Sequence, residues 1–113
     1  MEHTVEQHGS RRIVHLEGAI DVSAAIHLRE LLGDQLHGPG AEVLVDLSGV
    51  RLLDSSGIGI FVTAHRRAES LGAQLVLAAA QPAVAKVFEL TRTNRLLQIV
   101  STLDEGRLAL DAP

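Results

Sequence analysis

Apolar and polar positions change rhythm several times along the chain, and each rhythm predicts an element. Between Arg12 and Ile20, Val14, Leu16 and Ile20 alternate with His15, Glu17 and Ala19, the period of two of a half-buried strand. A weaker strand-like segment at Thr4–Gln7 and a turn at His8-Gly9-Ser10 complete a predicted hairpin. Ala24, Leu28, Leu31, Leu32 and Leu36 then recur at helical spacing, with Asp21 and Ser23 as candidate N-caps and His37-Gly38-Pro39-Gly40 as the stop. Val43-Leu44-Val45, followed by Leu47, does not alternate, as expected of a central strand covered on both faces. A loop from Ser48 to Asp54 is predicted to lead into a second helix, Ser56 to Leu71, with Gly72 in the place of a C-terminal glycine. Leu75-Val76-Leu77 reads as a further buried strand, and Pro82 opens a third helix striped by Val84, Val87 and Phe88. Leu97, Ile99 and Val100 form a last short strand, and Ser101 or Thr102, the latter spaced from Glu105 as a capping box, starts a terminal helix.

Strands alternating with helices predict an α/β fold. The expected architecture is a mixed, mostly parallel sheet of about five strands with about four helices, the first hairpin forming an antiparallel edge. A chain of 113 residues suits one domain, 1–113, with no linker.

Composition removes several function classes. Lysine and arginine number 10 against 14 acidic residues, a formal charge of −4, and the aromatic residues are Phe61 and Phe88 alone. Neither the basic footprint nor the stacking platform of a nucleic-acid binder is present. There is no cysteine, which excludes disulfides, thiolate metal sites and cysteine nucleophiles. The N-terminus lacks a basic start followed by an apolar run, and no apolar stretch approaches the ~20 residues that span a bilayer. A protein of the cytoplasm, without membrane contact, is therefore expected.

No catalytic pattern stands out. Ser55 and Ser56 follow Leu53-Asp54 rather than the glycine of a nucleophile elbow, and no Walker-type loop occurs. His3, His8, His15, His27, His37 and His65 are scattered without a close ligand pair, so no metal or cofactor is expected and most are read as solvated surface residues. Arg66-Arg67 reads as an exposed helical face or a small basic docking patch. Asp46 reads as a polar group at a strand end, and Asp21 as a cap.

The segment Val45 to Ile60 is the most informative. A buried strand hands over to a helix through Asp54-Ser55-Ser56, at the carboxyl end of a central strand where open α/β sheets place functional groups. Gly57 and Gly59 sit in the first turns, where each costs up to about 1 kcal/mol relative to alanine unless another backbone must come close. Ile58, Ile60, Phe61 and Val62 put apolar side chains nearly all round, while His65, Arg66, Arg67 and Glu69 follow, so a partner-facing surface is expected there. The plainer alternative makes Ser55 or Ser56 only an N-cap.

These residues resemble the STAS domain, in particular the small anti-anti-sigma factors. The resemblance runs through Gly18-Ala19-Ile20-Asp21, Val43 to Val50, Leu53-Asp54-Ser55-Ser56-Gly57-Ile58-Gly59 and Leu90 to Leu97. It implies that Ser55 is phosphorylated by an anti-sigma factor that is itself a serine kinase. The unmodified form would bind that kinase and free a sigma factor, and a phosphoserine phosphatase would reset the cycle. It further implies a docking face made of Asp21, Ser23, Asp54, Ser56, Gly57, Ile58, Gly59 and Ile60. Two positions depart from the family pattern: Ala19, where glutamate is common, and Arg92, where glycine is common. STAS-like domains also serve in stress-signalling scaffolds and lipid-transport assemblies, the alternative implied by the same resemblance.

Overall fold

The N-terminal hairpin forms as expected. In the computed structural model, which describes residues 1–112, β1 (Glu2–His8) pairs antiparallel with β2 (Arg11–Ile20) across a turn at Gly9-Ser10. There follow α1 (Val22–Gln35), β3 (Glu42–Leu53), α2 (Ser55–Leu71), β4 (Gln74–Ala78), α3 (Pro82–Leu90), a short 3-10 turn (Thr93–Arg95), β5 (Ile99–Val100) and α4 (Leu103–Asp111). The five-stranded sheet has the order β1-β2-β3-β4-β5, with every pair beyond the hairpin parallel.

Consecutive parallel strands laid down in this one direction, with crossovers of one hand, bring successive helices onto one face. Leu28, Leu31 and Leu32 of α1, Phe61 and Ala64 of α2, and Val84 and Phe88 of α3 share one core with Val14, Val43, Val45 and Leu77 of the sheet. The rings of Phe61 and Phe88 lie 6.1 Å apart at its centre. The last helix covers the other face, where Leu110 packs with Ile13, Leu44 and Val76. Burial of β3 on both sides explains its unbroken apolar run.

The predicted loop from Ser48 to Asp54 does not exist as such. β3 continues to Leu53, and its register with β2 shifts between His15 and Glu17 and between Gly18 and Ala19. Each shift gives β3 an extra residue, a bulge that breaks the period of two. Val50 and Leu53 are buried although three residues apart, a spacing that does not look like a strand in sequence. At the first shift Gly49 lies so near β2 that a Cβ would stand 2.8 Å from the Leu16 carbonyl oxygen.

On the α4 face, a chain of charges crosses the three N-terminal strands. The His15 imidazole meets Asp46 of β3 through Nδ1 and Glu6 of β1 through Nε2. Asp46 is therefore not a strand-end group: it is buried within β3, 7% exposed, and also accepts the Ser48 N–H at 2.9 Å. Burial pushes its carboxyl up, but the Ser48 N–H and His15 outweigh this and hold it below the usual value. His15 is raised by Glu6 and by Asp46, and Glu6 is lowered chiefly by His15. His15 is thus a linking residue rather than a solvated one.

Candidate functional site

Two neighbouring strands end alike. Ile20 of β2 and Leu53 of β3 are register partners, and the next residue of each, Asp21 and Asp54, is the N-cap of the following helix with extended backbone. An aspartate suits this place because its carboxylate accepts the free N–H groups of the first turn and answers the positive end of the helix dipole. Asp21 accepts from the N–H groups of Ser23 and Ala24 at 3.0 and 3.2 Å and from the Ser23 hydroxyl at 2.6 Å. That hydroxyl, followed by the backbone donors, holds the Asp21 carboxyl below its ordinary range. Asp54 accepts from Ser56 N–H at 2.9 Å and Gly57 N–H at 3.4 Å. Its own N–H donates to the Ile20 carbonyl at 3.1 Å, tying the two strand ends together.

Neither serine is the cap. Asp54 takes that duty, and Ser55 becomes the first residue of α2, exposed to solvent. Val22 occupies the equivalent position on α1 and is 74% exposed.

Behind this exposed corner the packing is tight. Gly57 is buried, and a Cβ there would stand 2.5 Å from Leu53 Cδ1 and 2.6 Å from Ile20 Cγ2. Its glycine is thus explained by the domain's own core. Gly59, by contrast, is exposed, and a Cβ would meet nothing within 4 Å.

A family model described as the STAS domain matches residues 2–106. The chain belongs to the STAS domain family. An anti-sigma-B factor antagonist of Bacillus subtilis (strain 168) is 29% identical over 102 residues, 90% of this chain and 93% of that protein. Among solved structures, an anti-sigma factor antagonist from Mycobacterium paratuberculosis superposes with a TM-score of 0.87 at 24% identity, covering 98% of this chain and 94% of that one. The Bacillus cell fate determinant SpoIIAA in its phosphorylated form superposes at 0.68 and 19% identity, covering 92% and 96%. These likenesses establish the fold predicted from the sequence.

Within this STAS domain, Asp21, Ser23, Asp54, Ser55 and Ser56 gather at the carboxyl ends of β2 and β3. Ser23, Ser55 and Gly59 are exposed, Asp21, Asp54, Ser56 and Ile60 half-buried, and Gly57 and Ile58 buried. The last two face inward and support the site rather than line its surface. Sequence reasoning missed Val22 and Ile26, one helical turn apart on α1 and 74% and 62% exposed. Their signal was present: both fall outside the Ala24, Leu28, Leu32 stripe that α1 buries. Among the described residues no group of three or more His, Cys, Asp or Glu side chains is arranged to hold a metal, and no helix is long and apolar enough to cross a membrane.

Proposed function

We propose that this chain is an anti-sigma factor antagonist of the cytoplasm, acting by binding rather than catalysis, whose partner is a serine-kinase anti-sigma factor and whose switch is phosphorylation of Ser55. The observation that carries the reading is the exposed position of Ser55, first in α2 and relieved of capping by Asp54. The names of its relatives support the same reading, and one structural neighbour was captured in a phosphorylated form.

The geometry suits a charge switch. A phosphoserine carries about −1.5 to −2 charges at neutral pH. At the start of α2 the helix dipole tolerates such an anion, so the domain keeps its fold. The penalty falls on the complex: Asp54 is already beside the site, Asp21 caps the adjacent helix, and a partner covering this corner would have to desolvate a dianion next to them. A 100-fold loss of affinity needs only about 2.8 kcal/mol. Exposed Val22, Ile26 and Gly59 give the unmodified corner its apolar contact area. A phosphoserine phosphatase restores this state.

The test pairs the purified protein with the serine-kinase anti-sigma factors of its source organism in calorimetry, and maps the modified residue by mass spectrometry after incubation with ATP. Ser55→Ala should bind like the unmodified chain and Ser55→Asp about 100-fold more weakly. Equal affinities, or a phosphoryl group found elsewhere, would overturn the reading; a lipid-transport role would leave Ser55 unmodified.

A further inference from the structure

One imidazole ties three strands together. His15 lies on β2; its Nδ1 meets Asp46 of β3 and its Nε2 meets Glu6 of β1. The two carboxylates stand in different surroundings. Asp46 is buried, the one buried polar or charged side chain among the described residues. Glu6 is exposed on the edge strand, where His8 at 3.4 Å is its other partner.

Only as the cation can an imidazole donate from both nitrogens; once neutral it keeps one N–H and presents a lone pair at the other. An ionised carboxylate has no proton to offer that lone pair. Loss of one proton must therefore break one of the two contacts, and burial selects which. Asp46 stripped of this donor would be left short inside the sheet, whereas Glu6 turns to water. The remaining proton stays on Nδ1, and the contact with β1 is the one that fails.

We propose that His15 is a proton-operated latch: charged, it fastens β1 across β2 to β3; neutral, it releases Glu6, and β1 opens from the sheet more often. Little else fastens that strand. Its seven residues are all exposed. Beyond the ladder to β2 and the Glu6 link, the ring of His3 rests edge-on against His27 of α1, 4.9 Å away. The charges around the latch are mostly negative. Glu2 and His3 of β1 and Glu17 of β2 line one hollow with His15, and Glu2 and Glu17 share another with Arg51 of β3. Arg11 of β2 is engaged by Glu42 of β3 and Asp111 of α4. Glu6 first, then Asp46, raise the His15 imidazole, so release comes above the ordinary histidine value of ~6.5.

The experiment is methyl relaxation dispersion by NMR on the whole chain, comparing Thr4 and Val5 of β1 with Val45 and Val76 of the inner strands. At about pH 9 the β1 methyls should report an open population about fivefold that at about pH 6, with the inner strands unchanged. Over the same range the ring nitrogen shifts of His15 should pass from two N–H groups to one, on Nδ1. Glu6→Gln keeps the fold, because Glu6 is exposed, and its amide can donate to a neutral ring or accept from a charged one. This variant, like His15→Gln, should lose the pH dependence. His27→Gln, which removes the other histidine contact, should keep it. The latch is refuted if the open population does not rise with pH, or rises as much in Glu6→Gln or His15→Gln. Loss of the rise in His27→Gln, or a neutral ring protonated at Nε2, would refute it equally.

Discussion

The Nδ1 atom of His15 on β2 lies 2.6 Å from Oδ2 of Asp46 on β3, joining residues 31 positions apart through neighbouring strands. With Glu6 on its other nitrogen, the imidazole is raised and both carboxylates are lowered. A raised imidazole stabilises fully below its unfolded value of ~6.5 and loses that contribution as pH rises through the folded value. Lowered carboxylates stabilise above their unfolded values of ~4 and lose it as pH falls. The three overlap between about pH 4.5 and 6.5. His15→Gln should therefore cost about 1–2 kcal/mol near pH 5.5, allowing for the partial exposure of the ring, and less at pH 8. Urea unfolding at the two pH values measures the difference; a cost independent of pH would exclude the ionic link.

The cap of α2 should be separable from its charge. Asp54→Ala removes the acceptor for Ser56 and Gly57 and is expected to cost about 1 kcal/mol, whereas Asp54→Asn retains an acceptor and should cost little. Thermal unfolding distinguishes them. Equal losses in both variants would mean that the negative charge, not the hydrogen bonds, stabilises the helix start.

Gly57 and Gly59 should respond in opposite directions to alanine. At Gly57 the new methyl meets Ile20 and Leu53 in the core, and overpacking should destabilise by about 1–2 kcal/mol. At Gly59 the methyl meets open space, and the helix should gain up to about 1 kcal/mol. Chemical denaturation of both variants decides the matter, and stabilisation at Gly57 would refute the packing account.

Arg92 has a φ of 59°, in the left-handed region that glycine adopts freely. Arg92→Gly should raise stability by up to about 1 kcal/mol, strain relief outweighing the added freedom of the unfolded chain. A lower midpoint in urea would show that the arginine side chain contributes more than its backbone loses.

Much of the fold was legible because it depends on neighbours in sequence. The Ala24–Leu28–Leu31 stripe, Pro82 at the start of α3 and Gly72 closing α2 with φ 70° are local signals that became local structure. Thr102 accepts the Glu105 N–H as a capping box requires, although the Glu105 carboxylate returns to Ser101 N–H rather than to Thr102. What sequence concealed is made across strands. The bulges of β3 exist only against β2, so Ser48 to Leu53 looked like a loop. The choice of Asp54 over the serines as cap follows from where β3 ends, and the role of His15 from partners on two other strands. At the candidate site, the residues brought together were legible, whereas the inward orientation of Gly57 and Ile58 and the exposure of Val22 and Ile26 required the packed helices.

All seven residues of β1 are exposed, and the strand runs along the outer edge of the sheet beside β2. Fastened by its backbone ladder and by side chains such as Glu6 and adding nothing buried of its own, it can peel away while the rest stays folded. Its amide protons should exchange with solvent sooner than those of β3, and each opening bares a flank of β2 along which the first strand of a second molecule can lie. Strand exchange of that kind would begin at the end of the sheet farthest from β5, leaving the core under α1, α2 and α3 intact.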